Sequence, residues 1–78
     1  MRFYDNEIQN ALDAGKKVTS DTVLPYRVYI RKHRLYRREQ HPSDPMFVRH
    51  SPDGCGMESM SEFHPTPDES AATDWRIL

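Results

Sequence analysis

Asp5-Asn6-Glu7-Ile8-Gln9-Asn10-Ala11-Leu12-Asp13-Ala14-Gly15-Lys16-Lys17-Val18 reads as a helix, a stop and the start of a strand. Tyr4, Ile8, Ala11 and Leu12 recur at helical spacing, while Asp5, Asn6, Glu7, Gln9, Asn10 and Asp13 fall on the other side. Residues 5–14 are therefore predicted to form an amphipathic helix with one face to bury. Asp5 stands where a side-chain oxygen accepts an orphan amide of the first turn. Gly15 supplies the left-handed closing residue, and Lys16 and Lys17 sit near the negative end of the helix dipole.

Outward from this helix the chain reads as short strands. Residues 17–19 make a brief one, and Ser20-Asp21-Thr22 turns before Val23-Leu24-Pro25. Tyr26-Arg27-Val28-Tyr29-Ile30-Arg31 alternates, with Tyr26, Val28 and Ile30 on one face and Arg27, Tyr29 and Arg31 on the other. Residues 34–38 are predicted to return antiparallel as a hairpin, residues 39–44 to form a loop, and residues 46–50 a third strand. Ser51-Pro52-Asp53-Gly54 has its proline and glycine where a type I turn takes them. Residues 55–61 show no dominant period. A short strand at residues 62–64 ends at Pro65, one helical turn follows at residues 68–72, and residues 75–78 form the last strand. The fold class is α+β: one N-terminal helix packed on a small antiparallel sheet, in a single domain spanning residues 1–78, with the last strand at the C-terminus.

Composition bounds what such a chain can do. Of its 78 residues 36% are apolar and 29% charged, and the mean hydropathy is −0.89. A core this small supplies only about 3–5 kcal/mol of net stability. Cys55 is the only cysteine, so no internal disulfide can help, and self-association is the expected staple. The lone thiol suits a reducing compartment. No signal peptide is read at Met1-Arg2-Phe3-Tyr4-Asp5, and no run approaches the ~20 apolar residues of a membrane span. Trp75 is expected in the core, where its ring carries much of the burial.

The net charge of −1 hides an asymmetry. Residues 26–38 hold Arg27, Arg31, Lys32, Arg34, Arg37 and Arg38 without an acid, whereas residues 53–78 set Asp53, Glu58, Glu62, Asp68, Glu69 and Asp74 against Arg76 alone. Either the two regions pair with each other, or the basic one is an anion site. Arg27, Tyr29 and Arg31, joined by Arg49 from the next strand, are the candidate ligand-binding residues. Guanidinium forks match phosphate oxygens, and a tyrosine ring offers a stacking surface. The net acidity of the whole disfavours nucleic acid.

Other constellations carry less chemistry. His33, His41, His50, Cys55 and His64 fit no common zinc spacing, so no metal is expected and the histidines are read as surface or loop residues. Cys55 lacks the context of a catalytic thiol, Asp68-Glu69 has no placement that recommends an acid–base pair, and Gly54-Cys55-Gly56 is too short for a phosphate loop. No catalytic residue is assigned, no cofactor is required, and the chain is read as a binding protein rather than an enzyme.

With the helix, its glycine stop and the terminal Asp-Trp strand placed, the chain resembles the phage Thoeris anti-defence sponge family. The resemblance rests on Ala11-Leu12, Gly15-Lys16-Lys17-Val18 and Asp74-Trp75-Arg76-Ile77, and covers the ends rather than the middle. It implies a homotetramer, in the cytoplasm of the infected bacterial host, that sequesters cyclic ADP-ribose isomers without cleaving them. Where the family continues with basic residues and a tryptophan, this chain has Thr19-Ser20-Asp21-Thr22-Val23. A different cyclic nucleotide therefore stays open as the ligand. So does an anti-CRISPR-like inhibitor that binds a host defence protein or nucleoprotein complex through the basic hairpin.

Overall fold

The computed structural model describes residues 1–33, 46–52 and 56–78. Along the chain lie α1 (Asn6–Asp13), β1 (Val18–Thr19), β2 (Tyr29–His33), β3 (Met46–Pro52), β4 (Glu58–Glu62), α2 (Pro67–Ala71) and β5 (Arg76–Ile77). The strands form one sheet in the order β4-β3-β2-β1-β5, antiparallel throughout. The α+β class, the N-terminal helix and the last strand near the C-terminus are as the sequence predicts. The expected returning strand at residues 34–38, the loop after it and Cys55 lie outside the described residues; of the turn expected at residues 51–54, Ser51 and Pro52 instead extend β3, paired with Ser59 and Glu58.

The helix is built as its pattern dictates. Ile8, Ala11 and Leu12 are buried, and Gly15 closes it at φ 82°. Lys16 N–H donates to the Ala11 carbonyl at 2.9 Å and Gly15 N–H to that of Leu12 at 3.0 Å, the paired bonds of a Schellman stop. Two expectations at the other end fail. Asp5 makes no side-chain cap bond to the helix; its carboxylate accepts from Arg2 N–H at 2.8 Å instead. The helix starts only at Asn6, so Tyr4 lies outside its spacing and is 58% exposed, and Phe3 takes the inward position at 0%.

Phe3 is the hub of the core. Phe47, Phe63 and Trp75 meet it edge-on, at ring-centroid distances of 5.0, 5.6 and 4.8 Å. Val18, Leu24, Val28 and Ile30 complete the cluster under α1. Trp75 is 1% exposed, its indole N–H donates to the Glu69 carbonyl at 2.8 Å, and its backbone N–H donates to the Met1 carbonyl at 2.9 Å. Asp74 latches the preceding turn: its carboxylate accepts from the Ser20 hydroxyl, from Thr22 N–H at 2.9 Å and from the Thr22 hydroxyl at 2.8 Å. Ahead of α2, Thr66 and Glu69 exchange side-chain and backbone bonds as a capping box.

The alternation predicted for residues 26–31 holds only in part. Val28 and Ile30 are buried, but Tyr26 is 88% exposed and the strand begins at Tyr29. A turn intervenes, closed by Val28 N–H to the Pro25 carbonyl at 3.1 Å, with Arg27 in the left-handed region at φ 69°. Proline at the start of that turn removes the extended path that strand parity assumes. The undecided stretch after residue 55 supplies β4, which is exposed along its whole length at the sheet edge.

Candidate functional site

Strand register decides which predicted ligand-binding residues can meet. In β2 and β3, Tyr29 faces His50, Ile30 faces Arg49, Arg31 faces Val48 and His33 faces Met46. Directly opposed residues share a face. Ile30 belongs to the core under α1, so Arg49 stands on the helix side of the sheet, away from Tyr29 and Arg31. Arg27 is also apart. It lines a separate cleft of about 190 Å³ with Pro25, Tyr26, Arg76 and Leu78, where Arg76 is held by Asp21 at 3.3 Å. Of the four residues proposed to form one face, only Tyr29 and Arg31 do so.

The face they share, opposite the helix, carries a polar network that the sequence reading missed. Tyr29 lies flat on His50, with centroids 4.7 Å apart and planes at 9°, and the Lys17 ammonium stands 4.6 Å from the Tyr29 ring centre. With His50 stacked on the ring and a cation over it, Tyr29 does not offer the open stacking platform expected of it. Its hydroxyl instead donates to both Glu58 oxygens, at 3.0 and 3.1 Å. Glu58 Oε2 is also 3.3 Å from His50 Nδ1, and His50 Nε2 is 3.2 Å from His33 Nε2. Tyr29, Glu58, His50 and His33 thus form one continuous chain of contacts across three strands.

The electrostatics follow from these contacts. Hydrogen bonds from Tyr29 and then His50 hold the Glu58 carboxyl below its usual range. Partial burial, reinforced by the Glu58 hydrogen bond and charge, pushes the Tyr29 phenol up. Burial, then the charges of Arg31 and His50, pulls the His33 imidazole down. His50 Nδ1 faces the Glu58 carboxylate and its Nε2 faces His33. His50 is 3% exposed, so it is no surface histidine; His64, at 79% side-chain exposure beside Glu62, is one.

Arg31 is half-buried on this face, and among the described residues its Nε is buried without a hydrogen-bond partner. Glu62, the acid in line with Arg31 across β3, pairs with His64 at 3.2 Å, and Glu58 bonds Tyr29 and His50. Among the described residues Lys32 of the basic centre pairs with Asp13 of α1 rather than with the acidic tail, and the tail's Glu58 meets a tyrosine and a histidine on this face. One signal in the sequence pointed here: His50 stands two residues after Val48, and His33 two after Arg31, so strand alternation puts each pair on one face. No protein-family model matches the chain, and no curated protein or solved structure is significantly similar to it. No helix among the described residues is long and apolar enough to cross a membrane.

Proposed function

We propose that this chain binds a phosphorylated ligand of the nucleotide class on the open face of its sheet and holds it without cleaving it. The observation that supports this reading is the buried, unpartnered Nε of Arg31. A buried guanidinium N–H without an acceptor is costly, and a phosphate oxygen is the acceptor its geometry fits best. Lys17, over the Tyr29 ring on the same face, adds a second cation. Following the family resemblance, the ligand is a cyclic ADP-ribose isomer or a related cyclic nucleotide. The protein then acts as a phage anti-defence sponge, a homo-oligomer in the cytoplasm of the infected bacterium.

Calorimetry of the full chain with cyclic ADP-ribose isomers, cyclic dinucleotides and linear controls tests the proposal. Wild type is expected to bind a cyclic nucleotide. Arg31→Gln should weaken that binding roughly 10- to 100-fold, the loss of about 1.5–3 kcal/mol expected for one charge-assisted bond. Absence of binding to every nucleotide refutes the sponge. A second reading, direct inhibition of a host defence protein, is favoured by β4, whose exposed outer edge can accept a partner's strand. Native mass spectrometry of protein purified from infected cells separates the two, since it reports retained nucleotide, retained protein and subunit count together.

A further inference from the structure

We infer that His33 and His50 form a binding site for a divalent transition-metal ion of the zinc class, coordinated through both Nε2 atoms. The inference goes beyond nucleotide binding and rests on different atoms. The two nitrogens lie 3.2 Å apart, with ring centroids at 5.2 Å and planes at 41°. Two Zn–N bonds of about 2.05 Å whose nitrogens are that far apart subtend roughly 100°, close to a tetrahedral angle. The pair is thus spaced as two ligands of one ion with no movement of the backbone.

The second element is Glu58. Histidines that bind metals characteristically give their other ring N–H to a carboxylate, which fixes the tautomer and strengthens the ligand nitrogen. Glu58 Oε2 stands 3.3 Å from His50 Nδ1, and Tyr29 holds the other side of the same carboxylate. His50 opposes Tyr29 and His33 opposes Met46, with the Arg31–Val48 pair between these two rungs on the same face, and the two imidazoles lean toward each other across it.

No three His, Cys, Asp or Glu side chains among the described residues converge on one point. The site accordingly supplies two imidazoles, and the remaining positions fall to water or to an oxygen of a bound anion. Arg31 and Lys17 are cations on the same face and oppose a bare dication; Glu58 and an anionic fourth ligand offset them. The competing arrangement is a plain hydrogen bond between two neutral imidazoles, which 3.2 Å also permits.

Titration of the full chain with Zn²⁺ at neutral pH, in the absence of nucleotide, decides between them. One equivalent should bind saturably, and the imidazole ¹⁵N resonances of His33 and His50 should shift at Nε2. Glu58→Gln should weaken binding about 10-fold or more, His33→Gln more strongly still, and His64→Gln should leave it unchanged. Absence of saturable binding by the wild type, unshifted Nε2 resonances, or binding that survives His33→Gln would overturn the site. The resonance measurement needs no variant, so it holds even if His50→Gln does not fold. Failure here leaves nucleotide binding untouched, because no nucleotide enters the experiment.

Discussion

Replacing Trp75 with alanine should remove most of the stability of this domain. The side chain is 1% exposed and lies 4.8 Å from Phe3 and 6.4 Å from Phe63, centroid to centroid, edge-on to both. Truncating a buried tryptophan costs about 3–5 kcal/mol through lost transfer energy and the cavity left behind. The upper half of that range applies, because the change also removes the indole bond to the Glu69 carbonyl, worth about 1 kcal/mol. At about 0.05–0.15 kcal/mol per residue, a chain of 78 residues holds roughly 4–12 kcal/mol in all. Urea unfolding followed by far-ultraviolet circular dichroism is the assay. With a slope near 1 kcal/mol/M, the midpoint should fall by several molar or the variant should be unfolded in water. Trp75→Phe keeps a ring against Phe3 and should lose only about 1–2 kcal/mol. A Trp75→Ala protein that remains cooperatively folded with less than about 1.5 kcal/mol lost would refute the assignment of Trp75 to the core.

Three further outcomes follow from the structure. Arg31→Met keeps the apolar stem while removing a buried donor that has no partner, so chemical denaturation should show unchanged or slightly raised stability alongside lost nucleotide binding. Gly15→Ala forces an L side chain to φ 82° in open space, where only backbone strain opposes it, and should cost about 1 kcal/mol in the same assay. Hydrogen bonds from Ser20 and then Thr22 depress the Asp74 carboxyl. Its contribution is therefore complete above the ordinary value of 3.8 and is lost as pH falls from there through the lower folded value. Thermal melts should show a shallower acid decline for Asp74→Asn than for wild type, and equal slopes would reject the latch.

The helix was legible because Ile8, Ala11 and Leu12 report burial directly through their spacing, and Gly15 marks a conformation few residues adopt. Burial of Val28 and Ile30 was legible for the same reason. Tyr26 was misplaced because an alternating pattern does not reveal where Pro25 breaks the strand. The strand expected at residues 62–64 lies instead at Glu58–Glu62: that stretch buries nothing, and its strand form comes from pairing with β3 rather than from its own side chains. Arg49 failed because its face depends on the register between β2 and β3, a non-local quantity in which one residue of slip reverses every side chain. The histidine network was missed because residue type was weighed above position. A histidine at a strand position shared with Val48 is held by the sheet whatever its polarity.

The contact between Phe3 and Trp75 also shapes how the chain reaches its folded state. Trp75 N–H meets the Met1 carbonyl, β5 pairs among the described residues only with β1, and the largest core ring is supplied from the far end of the sequence. Closing that loop is entropically costly, and the helix alone gains little until it happens. During synthesis, a nascent chain that has not yet exposed Trp75 to solvent leaves Phe3, Phe63 and the inner face of α1 without their partner. Such an intermediate presents the surface that chaperones and proteases recognise. The protein should therefore become protease-resistant in a single late step, when its last strand docks beside its first.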